Sequence, residues 1–379
     1  MANGGVIAAI NAQEVYVGVT AEGTFGFAFR AWRSDYGPVW LMPNTVITRP
    51  SRALTLGAVG DRPAELQFID VDSTTNAGGI ASVATATADP TMFDGQAAPA
   101  EFTGPAVLAD GTVVWTPTNK TLMAVCADGR PRWAIEYYNA AGEAPRVFAA
   151  GDGTIVLADS VTRRGSVYRI DGDGNVLAMH PLNADHDFPI GYSDRCGVVY
   201  ERHELDARGS GVPDQGLRFI SGDDFSTVRD LPGGLSPAND CGGWGRGGRR
   251  LRADGTVAFV HTFTRFGSSG PSDPIELADG SWLFVVGAGA ATPPGITIVG
   301  DDGSVAFDRD LDPAEVGERF APGLFMLTPD GVLVAAVTDN FEATQLLIAI
   351  EICIGRAPAW IGTGGTWARD NATWHAGVR

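Results

Sequence analysis

The chain contains very little lysine and too few positive charges to balance its acidic residues. Lys and Arg number 27 against 45 Asp and Glu, which gives a net charge of -18 at pH 7, and Lys120 is the single lysine. Because a phosphate-binding protein needs a basic surface, this balance argues against nucleic acid as a partner. It also excludes Schiff-base chemistry and most lysine general-base chemistry, unless Lys120 supplies it alone.

Long apolar runs and helical periodicity are lacking too. No segment approaches the roughly 18 apolar residues of a membrane-spanning helix, so we do not expect the chain to span a membrane. The opening MANGGVIAAINAQEVYVGV has neither the basic start nor the apolar centre of a secretory signal. The chain is therefore expected either to remain in the cytoplasm or to have lost an N-terminal segment that directed it outward, with or without a lipid anchor.

Only four cysteines are present, and no two of them are adjacent. Cys126 and Cys353 each precede a tryptophan by seven residues, so they occupy the same place in two separate repeats, too far apart to bond. Cys196 and Cys241 stand in the glycine-rich contexts SDRCG and NDCGG and are the candidate disulfide. Four unpaired thiols are the alternative.

Glycine and the dipeptide Asp-Gly are what the chain has in abundance. It contains 50 glycines, and Asp-Gly stands between apolar runs in ADGTVVW from Ala109, GDGTIVL from Gly151, ADGTVAF from Ala253, ADGSWLF from Ala278 and PDGVLVA from Pro329. A second Asp-Gly follows some of these about 20 residues later. Glycine adopts the positive φ of a tight turn without a Cβ clash, so each motif predicts a β-hairpin.

Two hairpins in succession predict a four-stranded sheet, and serial sheets of about 40 to 50 residues are typical of β-propeller blades. The clearest units are Pro105 to Tyr137, Pro145 to Leu182, Pro274 to Leu311 and Phe320 to Trp360. Less regular units run from Asn44 to about Ala88 and from Phe188 to Leu231, and Val6 to Met42 gives three strand-like runs. The predicted fold is all-β, a single propeller domain over residues 1–379.

Blade number depends on one stretch. Leu235 to Gly270 shows one obvious hairpin, GRRLRADGTVAFVHTF, and a second hairpin is not apparent. If this stretch is a degenerate blade the ring has eight blades, which we favour; if it is an excursion from a neighbour the ring has seven. Pairing of N- and C-terminal strands would close the ring and remove its open edges, and Gly365 to Arg379 is placed to contribute.

The repeats resemble the pyrroloquinoline-quinone-like propeller repeat. PAVLADGTVVWTPTNKTLMAVCADGRPRWAIEY, from Pro105, matches that pattern almost throughout, with Trp133 in the tryptophan position; Leu177, Phe307 and Trp360 are assigned to it in other units. GTWARDNATWHAG, from Gly365, is similar to the closing segment of many bacterial envelope propellers. The resemblance implies a propeller scaffold and an envelope or secreted location.

The quinoprotein enzymes of that family hold their quinone over calcium, beside a disulfide between adjacent cysteines. No Cys-Cys pair occurs here, so the resemblance implies the scaffold without the quinone cofactor. Calcium is a weak candidate ligand: Asp206 and Asp214 in LDARGSGVPDQG faintly resemble an extracellular calcium repeat, although a surface loop is the better interpretation. His180, Asp185, His186 and Asp187 cluster in one segment and are interpreted as solvated loop residues.

One segment combines aromatic and basic side chains in a glycine-rich context. CGGWGRGGRR carries Trp244, Arg246, Arg249 and Arg250, and tryptophan and arginine dominate binding hot spots. These four are the candidate binding residues, for an acidic protein surface or an anionic glycan. The alternatives are that Trp244 packs between blades and that the arginines pair with neighbouring carboxylates.

The sequence thus predicts a non-enzymatic binding or scaffold propeller of a bacterial envelope or secreted complex. It would contact protein or glycan. The alternative is a propeller enzyme, either a polysaccharide hydrolase or lyase or a degenerate quinoprotein dehydrogenase. No acid among the 45 stands out as catalytic.

Overall fold

A computed structural model describes the backbone of residues 6–10, 15–19, 25–30, 46–49, 52–57, 65–72, 79–87, 105–118, 120–137, 145–159, 165–182, 187–205, 211–233, 235–238, 240–245, 248–263, 274–277, 279–286, 293–312, 324–327, 332–339, 344–351 and 358–360. Side chains are described at Leu333 and within 105–312, apart from 119, 138–144, 160–164, 183–186, 203–215, 234–236, 239, 246–247, 264–273, 278 and 286–292. All secondary structure in these residues is β, and none of it is a helix that could cross a bilayer.

The described strands form eight antiparallel sheets in chain order. The first two contain β1 (Val6–Ile10), β2 (Val15–Val19) and β3 (Phe25–Arg30), then β4 (Val46–Arg49), β5 (Arg52–Gly57), β6 (Glu65–Asp72) and β7 (Gly79–Thr87). The third and fourth contain β8 (Ala106–Val107), β9 (Val113–Thr118), β10 (Thr121–Val125) and β11 (Pro131–Glu136), then β12 (Arg146–Ala149), β13 (Ile155–Ala158), β14 (Gly165–Ile170) and β15 (Val176–Leu182).

The fifth sheet contains β16 (Asp187–Ser193), β17 (Gly197–Leu205), β18 (Gly211–Ser221) and β19 (Thr227–Pro232), and the sixth contains β20 (Leu235–Pro237), β21 (Gly243–Gly245), β22 (Arg249–Leu251) and β23 (Val257–Val260). The seventh contains β24 (Ile275–Leu277), β25 (Trp282–Val286), β26 (Gly295–Val299), β27 (Val305–Asp310) and, from further along the chain, β31 (Pro358–Trp360). The eighth contains β28 (Leu324–Leu327), β29 (Val332–Asp339) and β30 (Thr344–Glu351).

The all-β prediction and most of the predicted units are confirmed as four-stranded sheets. The units that begin at Asn44, Pro105, Pro145 and Phe188 each form one sheet with its strands in chain order. The Pro274 unit does so too, with one added strand. The predicted closing segment from Gly365 lies outside the described residues, and no sheet closes a ring among those described.

The structure defines the stretch that the sequence left open and corrects one expectation about a strand. The Leu235 to Gly270 stretch contains a complete sheet, because β20 and β21 form the hairpin that the sequence did not reveal. Trp360 is not in a fourth strand beside β30. It pairs with Glu276, so β31 joins the sheet of β24, whose edge offers unpaired backbone groups.

The β20–β21 hairpin turns through a variant of the Asp-Gly motif, in which another residue takes the glycine position. In the ordinary case the Asp110 carboxylate accepts a hydrogen bond from the Thr112 amide at 2.9 Å, while Gly111 holds φ at 83°. The β20–β21 turn repeats this arrangement: Asp240 accepts from the Gly242 amide at 3.0 Å, and Cys241 holds φ at 69°. Because cysteine takes the glycine position, the sequence has no Asp-Gly motif to indicate this turn.

The core consists of apolar layers between neighbouring sheets, because alternate residues of each strand point to opposite faces. From the sheet of β16–β19, the Val198, Tyr200 and Ile220 side chains pack with residues of β12–β15 such as Val156. The opposite face sends Phe219 and other side chains toward Leu251 in the next sheet. The sheet of β16–β19 is therefore buried on both faces.

Aromatic side chains in some last strands cover the turn glycines of the following sheet. The Trp133 indole donates a hydrogen bond to the Gly172 carbonyl at 2.9 Å, and its ring leaves no room for a Cβ on Gly174. Phe259 covers Gly303 in the same way. Each contact fixes the position of one sheet relative to the next.

The candidate disulfide is a bond in the structure. The sulfurs of Cys196 and Cys241 are 2.09 Å apart, with a sequence separation of 45. Cys196 lies in the β16–β17 turn and Cys241 in the β20–β21 turn, so the bond joins the first hairpins of two neighbouring sheets. Cys126 is a free, half-buried cysteine just after β10, and Cys353 lies outside the described residues.

Candidate functional site

The last strands of the four-stranded sheets carry an exposed apolar surface. Among the described side chains, every large hydrophobic residue that is strongly exposed, between 48% and 63%, lies in β15, β19, β23 or β27: Val176, Leu177, Met179, Val228, Val257, Val260 and Val305. Three of these seven are in β15. We call the Val176, Leu177 and Met179 side chains the β15 patch.

A small residue in the tryptophan position explains why β15 is so exposed. In β11 and β23 the strand register shifts next to Trp133 and Phe259, whose rings cover the following sheet. In β15 the register shifts between Ala178 and Val176, so Ala178 holds the place of Trp133. The sequence assignment of Leu177 to the tryptophan position is therefore wrong, and Leu177 is an exposed bulge residue.

β15 also lacks charged residues, as do β7 and β23, whereas β11, β19 and β27 contain them. A free strand edge is normally protected by charged residues or proline. β11 begins at Pro131 and contains Arg132 and Glu136, while β19 and β27 each contain adjacent acidic and basic residues. β15 has no Asp, Glu, Lys or Arg in seven residues, VLAMHPL, and β23 has none in only four.

One edge of β15 is unpaired among the described strands. The strand pairs with β14 from Gly165↔Leu182 to Ile170↔Val176, and it is the end member of its sheet. Half of its backbone N–H and C=O groups therefore point away from the sheet. Such an edge can pair with a further strand.

Carboxylates lie near β15 and its neighbour β14. Asp173, in the turn that leads into β15, has a side chain 80% exposed and an ion pair to Arg132 at 3.3 Å. From the next sheet, Asp223 is fully exposed and contacts Arg169 of β14 at 3.2 Å. A hydrogen bond from Ser226 lowers the pKa of Asp224, and the nearby His180 of β15 lowers it further. An apolar edge bordered by carboxylates suits an apolar and basic ligand.

The structure does not place Trp244 in an exposed loop. Trp244 lies in β21 and is 3% exposed, with ring centroids 4.9 Å from Phe284, 5.3 Å from Phe259 and 5.8 Å from Trp282. The expectation that it contacts a partner is corrected: its ring joins two sheets. Gly243 and Gly245, which have no side chain, lie on either side of it in a strand that pairs with β20 and β22, so this glycine-rich segment is not a loop.

The candidate arginines do not form one surface either. Arg250 is buried, with an ion pair to Asp240 at 2.7 Å and its guanidinium 5.0 Å from the Trp282 ring centroid. Arg249 is exposed in β22, and Arg246 lies outside the described residues. Since adjacent strand residues point to opposite faces, Arg249 and Arg250 diverge.

Of the two calcium candidates, the structure describes only the backbone of Asp214. Asp206 lies outside the described residues, and Asp214 lies within β18, because β17 and β18 extend into the segment interpreted as a long loop. The acidic segment Asp171 to Asn175 is a turn, in which the Asp171 carboxylate accepts hydrogen bonds from the Asp173 and Asn175 amides at 2.9 and 2.8 Å. The side chains that the structure describes include no group of three or more metal-ligating residues.

A buried polar cluster lies between the sheets of β12–β15 and β16–β19. Arg218 donates to Asp187 at 2.7 Å and to both carboxylate oxygens of Asp230 at 2.8 and 3.0 Å. Burial raises the pKa of Asp187, whereas the Arg218 hydrogen bond lowers that of Asp230. The expectation of a solvated Asp187 is wrong: β16 begins at this residue, which is 3% exposed.

Tyr200 completes this cluster. Burial raises the pKa of its hydroxyl well above the ordinary value, and the carboxylates of Asp159 and Asp187 act in the same direction. The hydroxyl makes no hydrogen bond to the residues that the structure describes. The cluster thus extends from the buried Tyr200 and Asp187 to Asp230, whose side chain is 40% exposed.

No family model matches the chain, and no curated protein matches it in sequence. The resemblance to the quinone-type repeat therefore has no support from a family model. Solved structures that are similar include virginiamycin B lyase from Staphylococcus aureus, with 13% identity, a TM-score of 0.45 and coverage of 81% of this chain and 94% of that one.

Two further structures are similar at lower scores. The Dos1 propeller has 10% identity and a TM-score of 0.38, covering 86% of this chain and 71% of its own. A putative 6-phosphogluconolactonase from Bacteroides fragilis has 12% identity and a TM-score of 0.36, covering 93% and 94%. At these scores the similarities determine neither an activity nor a ligand for this chain.

Proposed function

We propose that this chain is a protein-interaction β-propeller whose contact surface is formed by the last strands of its sheets. The observation that supports this function is the β15 patch, which leaves three large apolar side chains in water on one strand. Apolar patches of this kind are typical of interaction sites. Successive sheets each end in a strand with exposed apolar side chains, which suits a scaffold role in an assembly.

The proposed architecture is one domain, a ring of eight blades closed by strands from both ends of the chain. The sheets β1–β3 and β28–β30 support it, because each has three strands where most of the described sheets have four. A strand contributed from the opposite terminus would complete such a sheet and cover its edge.

The proposed location is outside the cytoplasm, in the bacterial envelope or secreted. The Cys196–Cys241 bond supports this location, since structural disulfides persist in oxidising compartments. Protein partners are favoured over glycans, because the exposed surface is apolar.

Site-specific photocrosslinking in the native host tests the proposed function. A photoreactive side chain replaces Leu177 in one version of the protein and Asp302, an exposed turn residue of another sheet, in the matched control. We expect Leu177 to give one reproducible protein adduct and Asp302 to give none. The adduct protein is then purified and mixed with the chain, to confirm binding without the crosslink.

Absence of any protein adduct at Leu177 would contradict an interaction function for this surface. Equal adducts at both positions would contradict it as well, since they indicate random collision.

A further inference from the structure

We propose that β15 accepts one extended segment of a partner protein as an added antiparallel or parallel strand, and that apolar residues alternate with lysine or arginine in this segment. The inference rests on the proposed function and specifies the partner's chemistry at the same surface. It assigns to β15 a role in recognition through backbone hydrogen bonds.

The free edge of β15 is not protected by charged residues. β15 is seven residues long, which is enough for a ladder of several hydrogen bonds, and it carries neither the charges nor the early proline found in β11, β19 or β27. Its one proline, Pro181, is the sixth of the seven residues, so Val176 to His180 remain available for pairing. Strand addition uses such an edge for affinity and the alternate side chains for specificity.

The residue in the tryptophan position of β15 also favours an accessible surface. Where β11 has Trp133, β15 has Ala178, and the bulge turns Leu177 outward beside Val176. A small residue at position 178 leaves the apolar side chains on either side uncovered. The register shift itself recurs in β11, β23 and β27, so the small residue at position 178, and not the shift, distinguishes β15.

The carboxylates near β15 favour a basic segment as the added strand. Asp173 precedes the strand and contacts Arg132, Asp224 of the next sheet lies near His180, and Asp223 contacts Arg169 of the neighbouring β14. The strand itself contains no Asp, Glu, Lys or Arg. The whole chain carries -18. Basic side chains in the added segment would meet these carboxylates, whereas acidic ones would be repelled.

The same charge disfavours a second copy of this chain as the occupant. Pairing β15 with its own copy would bring two sets of the same carboxylates together, in two molecules of charge -18. The structure therefore favours a different, basic chain.

Fluorescence anisotropy with a defined probe tests the proposal. The probe is a labelled seven-residue peptide in which valine alternates with lysine, and the matched control peptide has glutamate in place of lysine. The full-length protein is compared with Met179→Lys in β15 and with Val260→Lys, an exposed valine in β23. Thermal unfolding of each variant checks that it is folded, and Met179→Ser replaces Met179→Lys if that variant is not.

We expect the lysine probe to bind the parent protein and Val260→Lys equally. We expect Met179→Lys to bind it about tenfold more weakly, because the substitution removes apolar burial and adds a like charge. The glutamate probe should not bind. Dimerisation of the parent at the same concentrations would indicate a second copy as the occupant and would overturn the proposal.

Other results would overturn it as follows. Equal weakening by Met179→Lys and Val260→Lys would mean that β15 has no special role. Equal binding of the two probes would mean that charge does not select the segment. If the lysine probe fails while Leu177 still gives its protein crosslink, the strand-addition proposal is wrong and the interaction function stands; if both fail, both are wrong.

Discussion

Individual side chains determine which segments of this chain are core and which are surface. Trp244 is surrounded by glycines in sequence, yet three aromatic rings lie within 5.8 Å of its own, between centroids. Arg250 is held beside it by Asp240. A glycine-rich composition thus permits a close-packed aromatic layer.

Replacing Trp244 by alanine should lower the free energy of unfolding by about 3 to 5 kcal/mol, the usual cost of removing a large buried aromatic side chain. Arg249→Ala, at an exposed position in the next strand, is the matched control and should change it by less than about 0.5 kcal/mol. Urea denaturation measures both. Equal effects of the two substitutions would mean that Trp244 is not in the core.

Turn carboxylates should make stability depend on pH. Hydrogen bonds from Thr256 and Ser304 lower the pKa values of Asp254 and Asp302 in the folded protein. A lowered folded pKa contributes stability above the unfolded value of about 3.9. That stability is lost as pH falls through the folded pKa values.

The double variant Asp254→Asn, Asp302→Asn should therefore lose less stability than the parent on acidification below about pH 4, because its side chains do not titrate. Melting temperatures measured along a pH series give the comparison. Parallel curves for the parent and the variant would show that these carboxylates do not contribute.

At the scale of strands and turns, the repeat was predictable where Asp-Gly marks a turn and was hidden where another residue takes the glycine position. Asp240-Cys241 is one such case, and Asp224-Phe225 is another, with Phe225 at a φ of 57°. The hydrogen bond from Ser226 to Asp224 is the same as in ordinary turns. Hairpin positions could be read from the sequence, but substituted turns require the backbone geometry.

At the Phe225 turn, backbone strain and the packing of the buried ring act on stability in opposite directions. Phe225→Gly would relieve a positive φ, worth about 1 to 2 kcal/mol. It would also remove a ring that is 1% exposed, which costs about 3 to 5 kcal/mol. We expect a net loss of about 2 kcal/mol in urea denaturation; a stabilised variant would mean that backbone strain outweighs packing there.

The exposure of β15 was missed because one position in the repeat was assigned wrongly. Its apolar sequence VLAMHPL has the pattern of a buried strand, and Leu177 was assigned to the tryptophan position. Ala178 follows the turn glycine Gly174 by four residues, as Trp133 follows Gly129, so the spacing in the sequence already places alanine there, and the pairing of Ala178 with Arg169 agrees with it.

At the scale of the whole molecule, neighbouring sheets are joined by links far apart in sequence. The disulfide spans 45 residues between two hairpin turns, and Arg229 adds a hydrogen bond to the Cys241 carbonyl at 2.8 Å. The sequence favoured this cysteine pair because Cys126 and Cys353 occupy repeat positions. It could not exclude free thiols, since only the fold brings the two turns together.

Cys196→Ser with Cys241→Ser should destabilise the protein by about 4 kcal/mol, the chain-entropy estimate for a loop of this length. Cys126→Ser, which alters a free cysteine, is the control and should have a much smaller effect. Denaturation without reductant measures both. Equal stability of the parent and the double variant would mean that the bond does not constrain the unfolded chain.

The most direct test of the central claim is amide hydrogen exchange of β15 in the complex with the protein identified by crosslinking. If β15 pairs with a partner strand, backbone amides within residues 176–182 should exchange more slowly in the complex, while those of β23 remain unchanged. Unchanged exchange in β15, in a complex shown to be formed, would contradict a partner-binding role for this strand.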